Sequence, residues 1–478
     1  MKRNILACLA CLLVLFSCQK LEDYNKNPNE LTFVTALSLL NYSTYSLAND
    51  HRFNMTWKNL FCQHFSQPGI SQSDPNLYEL HPYQVNDFFK TSYHSILDLQ
   101  EIIRLCAEDP DAQRVGGDPV NQVAQARILR AWKFQNMTDY WGDIPYSETL
   151  AGKLAPRYDT QESIYHDLLR ELEEAAAQIR LDAPPLSADA RYADGIYLGY
   201  VGGWKKFANS LTLRVAIRMA DRDWPAAKVA IEKAFADGVF ENNYDNAWYV
   251  FLLPPSNYQN PYAQFKNYIF VSKPLMDVLK GLEDPRIPKY AAPAKNTGDY
   301  EGLPYGLTLS NQSDRDNYSN LNETAAAPDG RVVLLDYVEV CFALAEAIER
   351  GAAIPGSAAE WYHKGIRASM EWWGVDPADI DVYLARTDVN YDTAPGTWKE
   401  KIGKQKWLAL FMQGEQAWFE WRRLDFGILQ PPPGLDYIAT RYIYPDLEQI
   451  LNKASYDEAV IRLPGGDKVT SKVWWDVN

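Results

Sequence analysis

Apolar residues recur at helical spacing over much of the chain. Between residues 160 and 181, Ile164, Leu168, Leu172, Ala175, Ala176 and Ile179 fall on one face of a 3.6-residue repeat. Asp159, followed three residues on by Glu162, reads as a capping box, and Pro184-Pro185 closes the segment. The same reasoning predicts helices over 122–139, 203–220, 224–237, 332–350, 357–373 and 402–420. In the second of these, Phe207, Leu211, Val215 and Ile217 supply the apolar face, and the arginines are expected to be paired or solvated.

Short polar links join neighbouring helices, at 219–225 and at 350–356. Consecutive helices of similar length joined this way predict a mostly α protein of stacked, tetratricopeptide-like helix pairs, although no strict 34-residue consensus recurs. Two stretches break the pattern. From about 241 to 330, prolines, asparagines and aromatics replace the helical stripe, and a second irregular part runs from about 431 to 478. The expected scaffold therefore covers about 31–240 and 331–430 and presents a loop-rich, irregular insertion, the kind of segment that carries binding residues.

The N-terminus follows a different logic. Lys2 and Arg3 precede an apolar run from Ile5 to Phe16, then Ser17 and Cys18. Twelve apolar residues fall short of the roughly 20 needed to span a bilayer, so the segment reads as a secretory signal at 1–17. A polar tether over 18–30 follows. Losing the signal removes two basic residues and no acidic one, which moves the formal charge from -15 to -17. A chain this acidic repels phosphate backbones, which argues against a nucleic-acid partner. Cys62, Cys106 and Cys341 lack metal-ligand spacing and read as buried thiols.

Several strings resemble one known family: "ARILRAWKFQNMTDYWGDIPYSETL" at 126–150, "GGWKKFANSLTLRVAIRM" at 202–219, "LAEAIERG" at 344–351, "WYHKGIRASMEWWGV" at 361–375, "GEQAWFEWRRLDF" at 414–426 and "RYIYPDLEQILNKASYDEAV" at 441–460. In this order they resemble the SusD/RagB-like lipoproteins of Bacteroidetes, in the second SusD-like branch. The resemblance implies a single SusD-like domain over 31–478 and acylation of Cys18, although Phe16 is bulkier than the usual lipobox residue there. It also implies a place on the outer-membrane surface, as a lid over a SusC-like TonB-dependent transporter. Members bind oligosaccharides, and some bind peptides or other nutrients.

Catalytic signatures are missing from the sequence. The six histidines show no HExxH or other ligand spacing, and no GxSxG or Walker loop occurs. Among 62 acidic residues some carboxylate pair at glycosidase separation arises by chance. The chain is therefore read as a binding protein without cofactor or metal, and Asp314 and Asp316 as solvated acids, with a calcium site there as the alternative. Sugar rings have apolar C–H faces and hydroxyl rims, so a site for them combines aromatic plates with amide hydrogen bonds. Residues 244–270 hold nine aromatics together with Asn257, Gln259, Asn260, Gln264 and Asn267. Trp248, Tyr258, Tyr262 and Tyr268 are the candidate plates there, and Tyr78, Tyr83, Tyr300 and Tyr305 are the candidates elsewhere.

Overall fold

Helices begin where the sequence places side-chain caps. A computed structural model describes residues 34–49, 57–68, 75–187, 190–256, 259–309 and 311–477. The signal, the tether, Cys18 and Tyr258 lie outside these residues. The longer helices are α1 (Ala36–Asn49), α2 (Pro82–Glu108), α3 (Pro119–Trp141), α4 (Gln161–Gln178), α5 (Val201–Arg218), α6 (Trp224–Asp237), α7 (Lys273–Gly281), α8 (Tyr337–Glu349), α9 (Ala358–Trp372), α10 (Pro377–Ala385), α11 (Trp398–Ala409), α12 (Gly414–Leu424) and α13 (Lys453–Arg462). Asp118, Asp223 and Asp336 accept from first-turn amides of α3, α6 and α8, and full capping boxes start α9 (Ser357/Glu360) and α11 (Thr397/Glu400).

The helices pack as consecutive pairs: α2 on α3, α4 on α5, α5 on α6, α8 on α9, and α11 on α12. Residues 36–478 form one compact unit in which most of the buried apolar side chains belong to a single cluster. The stripe predicted for α4 is buried as expected, Ile164, Leu168 and Leu172 being fully inaccessible. Helix α3 is buried almost all round, including polar Gln135 and Asp139. Among the described residues no helix is long and apolar enough to cross a membrane.

Three sequence assignments shift. The cap of α4 is Thr160, whose hydroxyl accepts from the Ser163 amide at 3.2 Å. Asp159 instead lies in strand β3 (Tyr158–Asp159), paired with β2 (Ile144–Pro145), and accepts from the amides of Tyr146 and Ser147. The helix expected over 332–350 starts only at Tyr337, because Arg331–Leu335 is a strand. The single helix expected over 402–420 is two, α11 and α12, separated at residues 410–413. Met412 turns the chain there with φ +72°, and Gly414 follows where a Cβ would sit 2.6 Å from the Asn59 amide nitrogen.

Within the irregular insertion, β4 (Ala247–Val250) pairs antiparallel with β6 (Arg331–Leu335), and β5 (Phe270–Val271) pairs with β1 (Phe65–Ser66). Ser272 caps α7, the insertion's own amphipathic helix.

Candidate functional site

The β4–β6 ribbon is tied to the scaffold by its sequence neighbours. Asp336, immediately after β6, accepts from the Glu339 amide at 2.8 Å and so starts α8. Val250 lies opposite Arg331 and Trp248 opposite Val333, so Trp248 and Arg331 are diagonal neighbours on one face of the ribbon. Trp372, the last residue of α9, meets them: its ring centroid is 5.0 Å from that of Trp248, inclined by 39°. The Arg331 guanidinium lies 4.7 Å from the Trp248 centroid and 5.3 Å from that of Trp372. Both indoles are half-buried and Arg331 is exposed.

Trp372 and Arg331, with Trp248 beside them, form the rim of a cavity of about 290 Å³ also lined by Trp373, Phe411, Met412, Tyr262 and polar groups of Asp329, Asp336 and Gln413. Ligand pockets run from about 300 to 1,000 Å³, so this one holds roughly a ring-sized part of a ligand while the rim meets the remainder. Its floor is rigid. Phe411 stacks on Tyr290 at 4.0 Å and 12°, Trp373 meets Tyr290 edge-on at 5.0 Å, and the Tyr290 hydroxyl donates to the Leu408 carbonyl. The loop over 324–330 is held by Asn260, which donates to the Ala327 carbonyl at 2.9 Å. Gly330 is needed there, since a Cβ would sit 2.5 Å from the Asn260 amide nitrogen.

The polar wall has a fixed orientation. Gln413 donates to Asp336 at 2.7 Å. A carboxylate only accepts, so the Gln413 amide presents its NH₂ group, and among the described residues its buried oxygen meets no donor. Burial, with the Glu339 carboxylate second, pushes the Asp336 carboxyl up to about 6. Met412, in the left-handed region, is backbone strain placed directly in the cavity wall.

The sequence candidates divide. Trp248 stands beside the rim. Tyr262 is a correction: it is only 3% exposed, its ring meets Phe65 edge-on and its hydroxyl accepts from Asn59, so it belongs to the wall and offers no open plate. Tyr78 is also buried, edge-on to Phe61, and Tyr305 is buried with its hydroxyl donating to the Leu60 carbonyl. Both rings are packed into the core and offer little open face. Tyr300 is half-buried against the core. Tyr83 and Tyr268 are exposed but do not line the cavity. Trp372, Trp373, Phe411, Arg331, Asp336 and Gln413 were not among the candidates. The adjacent Trp372-Trp373 at a helix end was the available signal.

A larger groove of about 620 Å³ runs between α7 and residues 427–430, with Tyr305 as the one aromatic ring among the described residues that line it. It lacks exposed aromatic faces, so the smaller cavity is the better candidate for a polar ligand with an apolar face.

Paired helices carrying an irregular insertion, with an indole-rimmed cavity where the two meet, define a scaffold-type binding protein. The chain matches the SusD-like family, described as "starch-binding associating with outer membrane", over residues 28–445, and belongs to it. Similar solved structures include a chitin-binding protein (28% identity, 93% of this chain, 100% of that one, TM-score 0.80). A chitin-binding SusD homolog from Flavobacterium johnsoniae is 25% identical over 92% of this chain and 98% of its own, with TM-score 0.79. A SusD homolog from Bacteroides uniformis is 26% identical over 93% and 100%, also with TM-score 0.79. A comparison with curated proteins returns no match.

Proposed function

We propose that this chain captures an oligosaccharide at the Trp248–Trp372 rim and passes it, uncleaved, to a SusC-like TonB-dependent transporter. In this reading Cys18 carries the lipid that holds the chain on the outer-membrane surface, and residues 18–30 tether it. The carrying observation is the indole pair, 5.0 Å apart, set beside a cavity with polar groups on one wall. Such a pair offers apolar plates to C–H faces, while Gln413 and Arg331 offer hydrogen bonds to hydroxyl rims. Family membership and the two chitin-binding neighbours support glycans as the ligand class. Asp336, the buried carboxylate of the cavity, is engaged as a helix cap and by Gln413, which supports a binding role over general acid–base work.

The test is a panel of polysaccharides in native affinity gels, with reducing ends assayed alongside. Retarded migration without new reducing ends is expected. Cleavage, or retention by peptides alone, would replace the reading. Co-purification with a large barrel protein from detergent-solubilised outer membranes tests the transporter arm.

A further inference from the structure

Arginines in this protein are almost uniformly engaged. Among the described residues every arginine other than Arg331 donates a hydrogen bond to the protein, from the buried Arg218, Arg286 and Arg423 to exposed Arg104 and Arg367. Among the described residues the Arg331 side chain has no hydrogen-bond or ion-pair partner. This occurs in a chain with 62 acidic and 47 basic residues, and with the exposed carboxylate of Asp329 on the same cavity lining two residues away.

A solvated arginine is ordinary on a surface, and hydration alone satisfies it. Arg331 differs in being held. Contact with two indoles restrains the guanidinium, so part of the side-chain entropy that a binding event would otherwise cost is already lost. The cation–π attraction takes up none of the fork of N–H donors, and among the described residues no acceptor meets that fork. That fork matches two oxygens of one planar or tetrahedral anion. Elsewhere in the lining, the Gln413 oxygen calls for a donor such as a hydroxyl. The Asp336 carboxylate, bonded to Gln413, disfavours an anion at that part of the lining and so favours one at Arg331, which orients the ligand.

We propose that the glycan taken by this site bears an oxyanion, a uronate carboxylate or a sulfate ester, bound by Arg331 while its ring packs on Trp372. The proposal rests on the reading of this cavity as the glycan site. The experiment screens the chain, purified from membranes in detergent, against acidic polymers (polygalacturonate, alginate, glucuronoxylan, chondroitin sulfate) and neutral ones (starch, chitin, xylan, dextran). The best binder is then titrated against Arg331→Gln, Arg331→Lys and Trp372→Ala.

The expected best binder is acidic. Arg331→Gln should weaken it by about tenfold or more, with unchanged melting, the size expected for lost charged hydrogen bonds. Arg331→Lys should recover only part, because an ammonium keeps the charge and loses the fork. Preference for polygalacturonate or for chondroitin sulfate separates carboxylate from sulfate, and chemical reduction of the carboxyl groups should abolish a uronate preference. A neutral best binder indifferent to Arg331→Gln overturns this inference and leaves the proposed function standing. Glycan binding that survives Trp372→Ala, or no glycan binding at all, removes both.

Discussion

Cations in the helical scaffold and the cation at the cavity rim have opposite surroundings. In the scaffold, Arg218 of α5 lies 3.1 Å from Glu420 of α12 and 3.5 Å from Asp139 of α3, and Lys406 of α11 and Arg423 of α12 share the same Glu420 at 3.0 and 2.6 Å. Arg423 reaches on to Glu346 of α8, and Arg214 pairs with Glu339 of that helix. All of these side chains are almost wholly buried, and they join five helices. At the rim, the Arg331 guanidinium lies over two indole rings and, among the described residues, pairs with no carboxylate. The difference teaches what each charge is for: a buried charge that must be neutralised fixes helix register, while an unneutralised one on a rigid platform is available to something that arrives.

Removing the hub of the scaffold network should have the largest effect. Glu420→Ala leaves Arg218, Lys406 and Arg423 short of a carboxylate in a buried site, which costs about 3 to 5 kcal/mol. Denaturant unfolding should show it, and glycan affinity of whatever remains folded should be unaltered. A stability within about 1 kcal/mol of the parent would mean that water reaches this network and that its burial has been overstated.

The complementary change at the rim should reverse that pattern. Trp372→Ala removes a half-buried ring from the indole pair and should weaken glycan binding by about 1 to 3 kcal/mol while melting barely moves. If melting falls and affinity does not, Trp372 is a packing residue and the contrast between the two regions collapses.

The scaffold was legible in the sequence where burial is one-sided. Helix α6, Trp224–Asp237, has the predicted bounds because its cap Asp223 and closing Gly238 are local signals. The break at 410–413 was hidden because Met412, a residue without turn chemistry, makes it, and the continuous apolar run from Val332 to Leu335 shows no strand alternation that would set it apart from the helix after Asp336. The candidate site was legible in composition only. The density of aromatics over 244–270 drew attention to the ribbon, yet nothing local distinguishes buried Tyr262 from half-buried Trp248. The cavity assembles from residues near 248, 262, 331, 372 and 411, and only the tertiary fold brings those together.

Between the two regions sits Asp336, which both caps a scaffold helix and lines the cavity. Its folded-state pKa is raised from 3.8 to about 6, so from about pH 4 to 6 the native state binds a proton that the unfolded chain has released. Stability contributed by the protonated group is therefore complete below about pH 4, is lost as pH rises to about 6, and is constant above it. Asp336→Asn keeps a good cap and removes the titration. Parent minus variant stability should fall across that window. A two-unit shift bounds the change near 3 kcal/mol, and relaxation around the carboxylate brings the expectation to about 1. Parallel pH profiles would show that Asp336 titrates normally.

The smallest effect should come from a scaffold position far simpler than these. Asp425 ends α12 in the left-handed region, at φ 49° and ψ 49°, with its side chain exposed. Two things there are unfavourable. A residue with a Cβ is strained in that conformation, and a negative charge sits at the helix end where unpaired carbonyls already concentrate negative potential. Glycine adopts the conformation freely, as at the C-termini of many helices. Against this, glycine adds freedom to the unfolded chain, which cancels part of the gain. Asp425→Gly should thus raise stability by about 0.5 kcal/mol and leave glycan affinity unchanged, since the side chain lines no part of the cavity. A drop in stability would mean that the Asp425 carboxylate makes a favourable contact that outweighs its strain. A change in affinity without a change in stability would mean that the end of α12 communicates with the 410–413 break at its start, so that scaffold and rim are not separable.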